Sequence, residues 1–277
     1  MSDFILGAVA YDAKVVTIWD GFRAWFAERG LSFDYVLYTS YERQVDAHLR
    51  GDVHVAWNSP LAWIQVERLA KKHGRTAQAI AMRDTDRDLT SVILVRADSP
   101  VKSIADLRGK RIGVGAADSP QATLIPLLAL SDAGVEPGRD VEVQRHDVLL
   151  GKHGDHIGGE RDAVKALLAG KVDAACLIDG NRLAFAREGL LAPNATRVLH
   201  QTGLYDHCNM TVLDGGPPET QRFRELLLGM SYDDPQVRPL LDLEGLKAWL
   251  PGRTKGYALL ERAVERFHTL DPWLAVR

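Results

Sequence analysis

The chain has 277 residues and a formal net charge of −3, which is enough length for one large domain or two of ordinary size. Hydrophobic residues make up 46% of the sequence and charged residues 26%, the balance of an average globular protein. The slightly acidic charge argues against nucleic acid as the main partner, and no apolar run is long enough for a membrane span. The two cysteines, Cys176 and Cys208, are too few for a disulfide scaffold, and we expect thiols.

The first part of the chain alternates predicted strands and helices. A buried strand is expected over 4–10, followed by a helix over 15–29 with Trp19 and Phe22 on its apolar face. The pattern then predicts strands over 33–39, 54–57, 77–82 and 91–96, with helices over 41–50 and 60–72. This alternation is typical of an α/β fold with mostly parallel sheets.

A second unit begins near Ser91. Its predicted strands are 110–115, 140–146 and 171–179, and its predicted helices are 121–133, 161–169 and 181–188. Two further predicted strands, 198–203 and 208–213, lead back to the first unit. From Pro218 onward the pattern is mainly helical and is expected to pack on the first unit. We therefore predict two α/β lobes joined by a double-crossing hinge, one formed by 1–88 with 205–277 and the other by 89–204.

Two strand ends are followed by helix-start signatures, Asn58-Ser59-Pro60 and Asp118-Ser119-Pro120. Ser or Asp caps the first N–H groups of a helix, and Pro suits its first position. Such a helix end can hold an anion, although an ordinary cap has the same sequence. We expect a ligand where strand ends meet helix starts, in a cleft between the lobes.

Three stretches carry a family resemblance: VHVAWNSPLAW at 53–63, SVILVRADSPVKSIADLRGKRIGVGAADSPQATLIP at 91–126, and RDAVKALLAGKVDAACLID at 161–179. In order and spacing they resemble the phosphonate- and phosphite-binding proteins of ABC importers, which have the type 2 periplasmic-binding fold. The resemblance implies that two lobes close over a small polar or anionic ligand of the phosphonate, phosphite, sulfonate or carboxylate class. It also implies an ABC permease as partner, and we expect no cofactor.

The family's pocket residues are only partly kept. Tyr41 matches a tyrosine after the second strand, and Ser119 matches the first serine of the family's turn. Asn58 stands where tyrosine is common, and Glu160 with its neighbour occupies the place of a His-acid pair. These family positions, together with residues that directly follow predicted strands or lie at the second hinge crossing, form the predicted ligand-binding set: Tyr11, Tyr41, Asn58, Ser59, Ser119, Pro120, Gln121, Glu160, Asp179 and His207.

The glycine-rich stretch GKHGDHIGGE, residues 151–160, holds several metal-capable side chains without a strong metal spacing. We expect no resident metal there, with His153 and His156 as weak candidates, and either a solvated loop or a lid over the ligand.

A cytoplasmic enzyme on the same fold is the alternative, as a lyase, decarboxylase or desulfinase using His156, Glu160, His207 and Cys208. Adjacent residues of an extended chain face opposite sides, so His207 is not expected to activate Cys208 directly. The start MSDFILGAVAYD does not read as a leader, which favours the cytoplasm for the sequence as written and the periplasm if a leader was removed.

Overall fold

The computed structural model describes residues 4–154 and 159–277. The chain divides into two compact units. Unit 1 contains the described residues up to Arg87, Asp206–Tyr257 and Leu274–Arg277, and unit 2 contains Asp88–Tyr205 and Ala258–Trp273. In the described residues no helix is both long and apolar enough to cross a bilayer.

Unit 1 is built on a six-stranded sheet. Its strands are β1 (Phe4–Val9), β2 (Phe33–Tyr38), β3 (Val55–Asn58), β4 (Ala77–Arg83), β10 (Asn209–Leu213) and β11 (Trp249–Pro251), in the order β11-β4-β10-β3-β1-β2. Its helices are α1 (Lys14–Ala27), α2 (Tyr41–Arg50), α3 (Pro60–Lys72), α7 (Glu219–Leu228) and α8 (Arg238–Glu244).

The core of unit 1 is aromatic because α1 places its large side chains on one face. Ile18, Trp19, Phe22, Trp25 and Phe26 recur at helical spacing and are all buried. Phe22 is fully buried, so its truncation to alanine is expected to cost about 3–5 kcal/mol of stability.

Unit 2 is built on a five-stranded sheet. Its strands are β5 (Ser91–Arg96), β6 (Arg111–Val114), β7 (Glu142–Arg145), β8 (Ala174–Ile178) and β9 (Thr196–Gln201), in the order β7-β6-β8-β5-β9. Its helices are α4 (Ile125–Asp132), α5 (Glu160–Leu168), α6 (Asp179–Arg187) and α9 (Ala258–Phe267), and α10 (Asp271–Leu274) begins in this unit.

The two-sheet α/β fold is confirmed, but the sheets are mixed rather than mostly parallel. In unit 1, β1 pairs in parallel with β2 and β3, whereas β10 runs antiparallel to both β3 and β4. In unit 2, β6 is parallel to β7 and β8, whereas β5 is antiparallel to β8 and β9. The reversed strands β5 and β10 are the first strands after the chain changes unit, so they enter each sheet from the opposite end.

The segment 258–273, which the prediction placed in the first lobe, belongs to unit 2. Helix α9 packs on α4, and two ion pairs join it to the same region. Arg262 binds Asp132 at 2.9 Å and Arg266 binds Glu136 at 2.6 Å. These pairs span 130 residues of sequence, which is why local pattern does not reveal them.

Candidate functional site

In unit 1, polar residues collect where parallel strands end. The strands β1, β2 and β3 run in the same direction, so their carboxyl ends share one edge of the sheet. Asn58 is the last residue of β3, and Ser59 caps α3 by accepting a hydrogen bond from the Ala62 N–H at 3.1 Å. Tyr41, which is buried, opens α2 after the cap residue Ser40. Tyr11 is half-buried and follows β1 by two residues.

Asn58 belongs to a chain of buried side-chain hydrogen bonds. In order of donation the chain runs from Gln44 to Asn58, Thr211, Asn209, Tyr257 and finally the carbonyl of His207. Its links measure 2.6–2.9 Å. Because each group accepts from one neighbour and donates to the next, the direction of donation is the same throughout.

This hydrogen-bond chain sets the orientation of the Asn58 amide. Its Oδ1 accepts from Gln44 and its Nδ2 donates to Thr211, so the amide has one donor and one acceptor position left for a ligand. Oε1 of Gln44, at the head of the chain, is buried and has no protein partner among the described residues.

Sequence reasoning missed most of this hydrogen-bond chain. The available signal was periodicity: Asn209 and Thr211 alternate on one face of a buried strand, and Gln44 lies on the buried face of α2 with Tyr41 and Val45.

His207 and Cys208 also lie in unit 1, and their predicted separation is wrong. Nδ1 of His207 is 3.0 Å from Sγ of Cys208. The chain here precedes β10 and is not part of a strand, so the alternation of faces does not apply. Nδ1 of His207 also lies 3.5 Å from Oδ1 of Asp86, and all three residues are buried.

Asp86 is held by Arg83 in a bidentate ion pair at 2.6 and 2.9 Å. Burial opposes ionisation of Asp86, but the charge and hydrogen bonds of Arg83 outweigh burial and keep the pKa of Asp86 below its usual value. Arg83 also contacts Glu244 at 3.3 Å and lies over the Trp57 ring.

Asp86, His207 and Cys208 form the metal-capable group found in the described part of the chain, with ligand atoms within 4.8 Å of one another. The guanidinium of Arg83 already engages both Asp86 oxygens, so a cation would lie beside a fixed positive charge. We interpret this group as a buried ion-paired cluster rather than a metal centre. Neither cysteine of the chain forms a disulfide.

In unit 2, Ser119 ends the turn after β6. Its Oγ accepts from the Ala122 N–H at 3.2 Å, the same capping bond that Ser59 makes in unit 1. The predicted helix over 121–133 is instead a turn of π-helix over Pro120–Leu124 followed by α4. Pro126 explains the change, because it has no N–H to donate to the carbonyl of Ala122.

The loop before α5 lies against the Ser119 turn. A Cβ on Gly154, whose φ is +60°, would lie 2.6 Å from Oγ of Ser119, so only glycine allows this approach. Gln121 is buried and donates from Nε2 to the Gly154 carbonyl at 2.7 Å, and Oγ of Ser91 donates to the Gln121 carbonyl at 2.6 Å. His153 in the same loop is buried, and it is not part of the metal-capable group of the described chain.

Glu160 opens α5 and is fully buried. One of its carboxyl oxygens accepts from the Ile178 N–H at 3.2 Å and from Nδ2 of Asn181 at 2.7 Å. Burial raises the pKa of Glu160 well above its ordinary value, against the opposing effect of these hydrogen bonds and of Gln121. Burial therefore shifts the side chain towards its neutral form.

Asp179 is the first residue of α6, and its carboxylate pairs with Arg182 at 2.9 Å. The structure thus brings Ser119, Gln121 and Glu160 into one neighbourhood of unit 2, while Asp179 has its own ion pair. Asp155 and His156 lie outside the described residues.

Several solved structures share this fold. The chain is similar to PhnD1 from Prochlorococcus marinus in complex with methylphosphonate, at 17% identity over 96% of this chain and 98% of that one, with a TM-score of 0.69. It is similar to XAC2383 from Xanthomonas citri bound to ATP, at 19% identity, 97% and 99% coverage and a TM-score of 0.73. The aliphatic sulphonate-binding protein SsuA from Escherichia coli matches at 17% identity, 97% and 93% coverage and a TM-score of 0.58. At these identities the likeness establishes the fold.

The two mixed sheets with polar strand ends therefore define a protein of the type 2 periplasmic-binding class. Within that class, the family model of the ABC transporter, phosphonate, periplasmic substrate-binding protein matches residues 7–257. The chain belongs to this family, and the resemblance inferred from the sequence is confirmed. The comparisons give no support to the enzyme alternative.

Proposed function

We propose that the protein binds a small tetrahedral oxyanion, a phosphonate or close analogue, and delivers it to the permease of an ABC importer. Family membership supports this proposal. The similar proteins bind methylphosphonate, ATP and aliphatic sulphonates, which share a tetrahedral oxyanion group. Because the family is periplasmic, we also propose that the protein works on the outer side of the cytoplasmic membrane.

The serine-capped helix start at Ser119 is the observation that carries the proposal. A helix start has N–H groups without intrahelical acceptors and a partial positive charge, both suited to an oxyanion. At Pro120–Leu124 the N–H of Gln121 belongs to this first turn. In unit 1 the helix α3 starts after Ser59 with the same Ser-Pro sequence.

Glu160 adapts this neighbourhood to an anion. An ionised carboxylate beside a phosphonate would repel it, whereas a neutral carboxylic acid can donate a hydrogen bond. The burial that raises the pKa of Glu160 therefore favours an anionic ligand. The proposed contacts remain those expected from the sequence: Tyr11, Tyr41, Asn58, Ser59, Ser119, Pro120, Gln121, Glu160, Asp179 and His207.

Calorimetric titration of the purified protein with methylphosphonate, phosphite, ethanesulfonate and acetate tests the proposal. We expect saturable one-to-one binding of the tetrahedral anions and weaker binding of acetate. Recovery of unchanged methylphosphonate, followed by ³¹P NMR, distinguishes a binding protein from an enzyme that consumes it.

The matched variants are Ser119→Ala and Ser103→Ala. Both remove a serine hydroxyl that precedes a helical turn, but Ser103 is exposed and its hydroxyl donates to Asp106 at 3.1 Å. Loss of a hydrogen bond to a charged ligand is expected to weaken binding by about 1.5–3 kcal/mol in Ser119→Ala. Equal affinities in the two variants, or no binding of any tetrahedral anion, would contradict the proposal.

A further inference from the structure

Unit 2 contains a cavity of about 530 Å³ between the π-turn, β7 and the end of α9. Its lining includes Thr123, Leu127, Val143, Arg145 and Phe267. This volume lies within the range of ordinary small-molecule sites. We name it the Thr123 cavity.

The hydroxyl of Thr123 is the most unusual group in its wall. The side chain is 2% exposed, and Oγ1 has no hydrogen-bond partner in the described residues. A buried threonine in a helix can donate to a carbonyl three or four residues earlier. Here the Ser119 carbonyl already accepts the N–H groups of Thr123 and Leu124, at 3.2 and 3.0 Å, and the Pro120 carbonyl accepts from Ile125. The π-turn thus leaves the buried hydroxyl without a carbonyl partner in a residue that lines the cavity.

The charge of the cavity wall favours an anion. Arg145, at the end of β7, is exposed and forms no ion pair with the described residues. Glu136 also lines the cavity, but its carboxylate is engaged by Arg266 at 2.6 Å. The wall therefore has one uncompensated positive charge.

Most of the rest of the wall is apolar, with Thr269 as a further polar residue. Leu127 is 6% exposed, and Val143 and Phe267 are partly buried against the same hydrophobic core. Covering these side chains with an alkyl group would contribute about 25 cal/mol per Å² of apolar surface buried. The cavity thus joins an apolar surface to an oxyanion-binding edge.

We propose that the Thr123 cavity is a second ligand site for an amphipathic monoanion, a medium-chain carboxylate being the simplest example. The alkyl chain lies on Leu127, Val143 and Phe267, and the carboxylate accepts hydrogen bonds from Thr123 and Arg145. This site is separate from the proposed phosphonate contacts, none of which lines the cavity.

Octanoate is the probe, with 1-octanol as its uncharged counterpart. In ¹H–¹⁵N NMR and calorimetry we expect saturable one-to-one binding of octanoate, with shifts centred on Thr123, Leu127 and Phe267, and at least tenfold weaker binding of octanol. Saturating methylphosphonate is expected to leave the octanoate affinity unchanged.

Three variants complete the test. Thr123→Val, which keeps the shape but removes the hydroxyl, and Arg145→Gln are each expected to weaken octanoate binding about tenfold or more. Arg139→Gln, an exposed arginine of the same unit outside the cavity, serves as the charge control. Because Arg145 is exposed, its variant remains informative if Thr123→Val lowers stability.

The proposal is overturned if octanoate shows no saturable binding, or if Arg139→Gln weakens it as much as Arg145→Gln. Displacement of octanoate by methylphosphonate would also overturn it, because both ligands would then share one site. Since methylphosphonate binding is measured separately, failure here leaves the proposed function unaffected.

Discussion

Replacement of His48 by leucine should remove a large part of the acid sensitivity of unit 1. His48 lies on the buried face of α2, is 2% exposed, and neither ring nitrogen has a hydrogen-bond partner among the described residues. Burial, and then the charge of Arg75, lower the pKa of His48 to about 3, against an opposing effect from the backbone of His54.

The magnitude follows from proton linkage. In the unfolded chain a histidine titrates near pH 6.5, so below that pH the unfolded state binds a proton that the folded state excludes. Because the folded pKa is depressed, stability is full above pH 6.5 and falls by about 1.4 kcal/mol per pH unit as the pH drops towards 3. Between pH 6.5 and 4.5 this amounts to about 2–3 kcal/mol.

Urea unfolding followed by tryptophan fluorescence is a suitable assay, because Trp273 alone of the six tryptophans lies in unit 2. We expect His48→Leu to gain about 2–3 kcal/mol relative to the parent between pH 6.5 and 4.5. His73→Leu, which replaces an exposed histidine of the same unit, is the control and should show no such gain. An equal difference between His48→Leu and the parent at both pH values would refute the reasoning.

Three further predictions concern the buried polar groups. Burial raises the folded pKa of Glu160, so the parent protein should lose up to about 1.4 kcal/mol of stability per pH unit above 4.5 until the folded carboxyl ionises. In Glu160→Gln, measured by urea unfolding, this loss of stability with rising pH should disappear. A variant whose stability falls with pH as steeply as that of the parent would be contrary evidence. Thr211→Val should lower the free energy of unfolding by about 1–3 kcal/mol because Asn58 and Asn209 both lose a hydrogen-bond partner, whereas Thr211→Ser should keep the stability of the parent. Similar melting temperatures for the two variants would show that this hydrogen-bond chain does not stabilise unit 1. Arg83→Met should lower the free energy of unfolding by about 3–5 kcal/mol because it leaves Asp86 buried without its cation. In a double-mutant cycle, adding Asp86→Asn should recover part of this loss. Additive losses of stability in the two single variants would contradict the ion pair's contribution.

Local features were predictable because short-range physics determines them. The caps at Ser59 and Ser119 follow from serine before proline at a helix start, and both form as expected. The apolar face of α1 follows in the same way from its helical periodicity.

Features that depend on distant pairing were not predictable from local pattern. The antiparallel direction of β5 and β10 depends on where the chain re-enters each sheet. The contact between His207 and Cys208 depends on a backbone that is not extended. The π-turn could have been anticipated, since Pro126 interrupts the hydrogen bonding of the predicted helix.

The candidate site shows the same division. The position of Asn58 at a strand end was predicted, but its role in the chain from Gln44 to Tyr257 was not, because that chain joins residues up to 153 positions apart. Glu160 was selected by family position alone. The upward shift of its pKa depends on its complete burial, which no local pattern reveals.

A crystal structure of the protein with methylphosphonate bound tests the central claim most directly. We predict phosphonate oxygens within hydrogen-bond distance of Ser119 or the N–H of Gln121 and of the Glu160 carboxyl. A phosphonate bound far from these three groups, at full occupancy, would contradict the account.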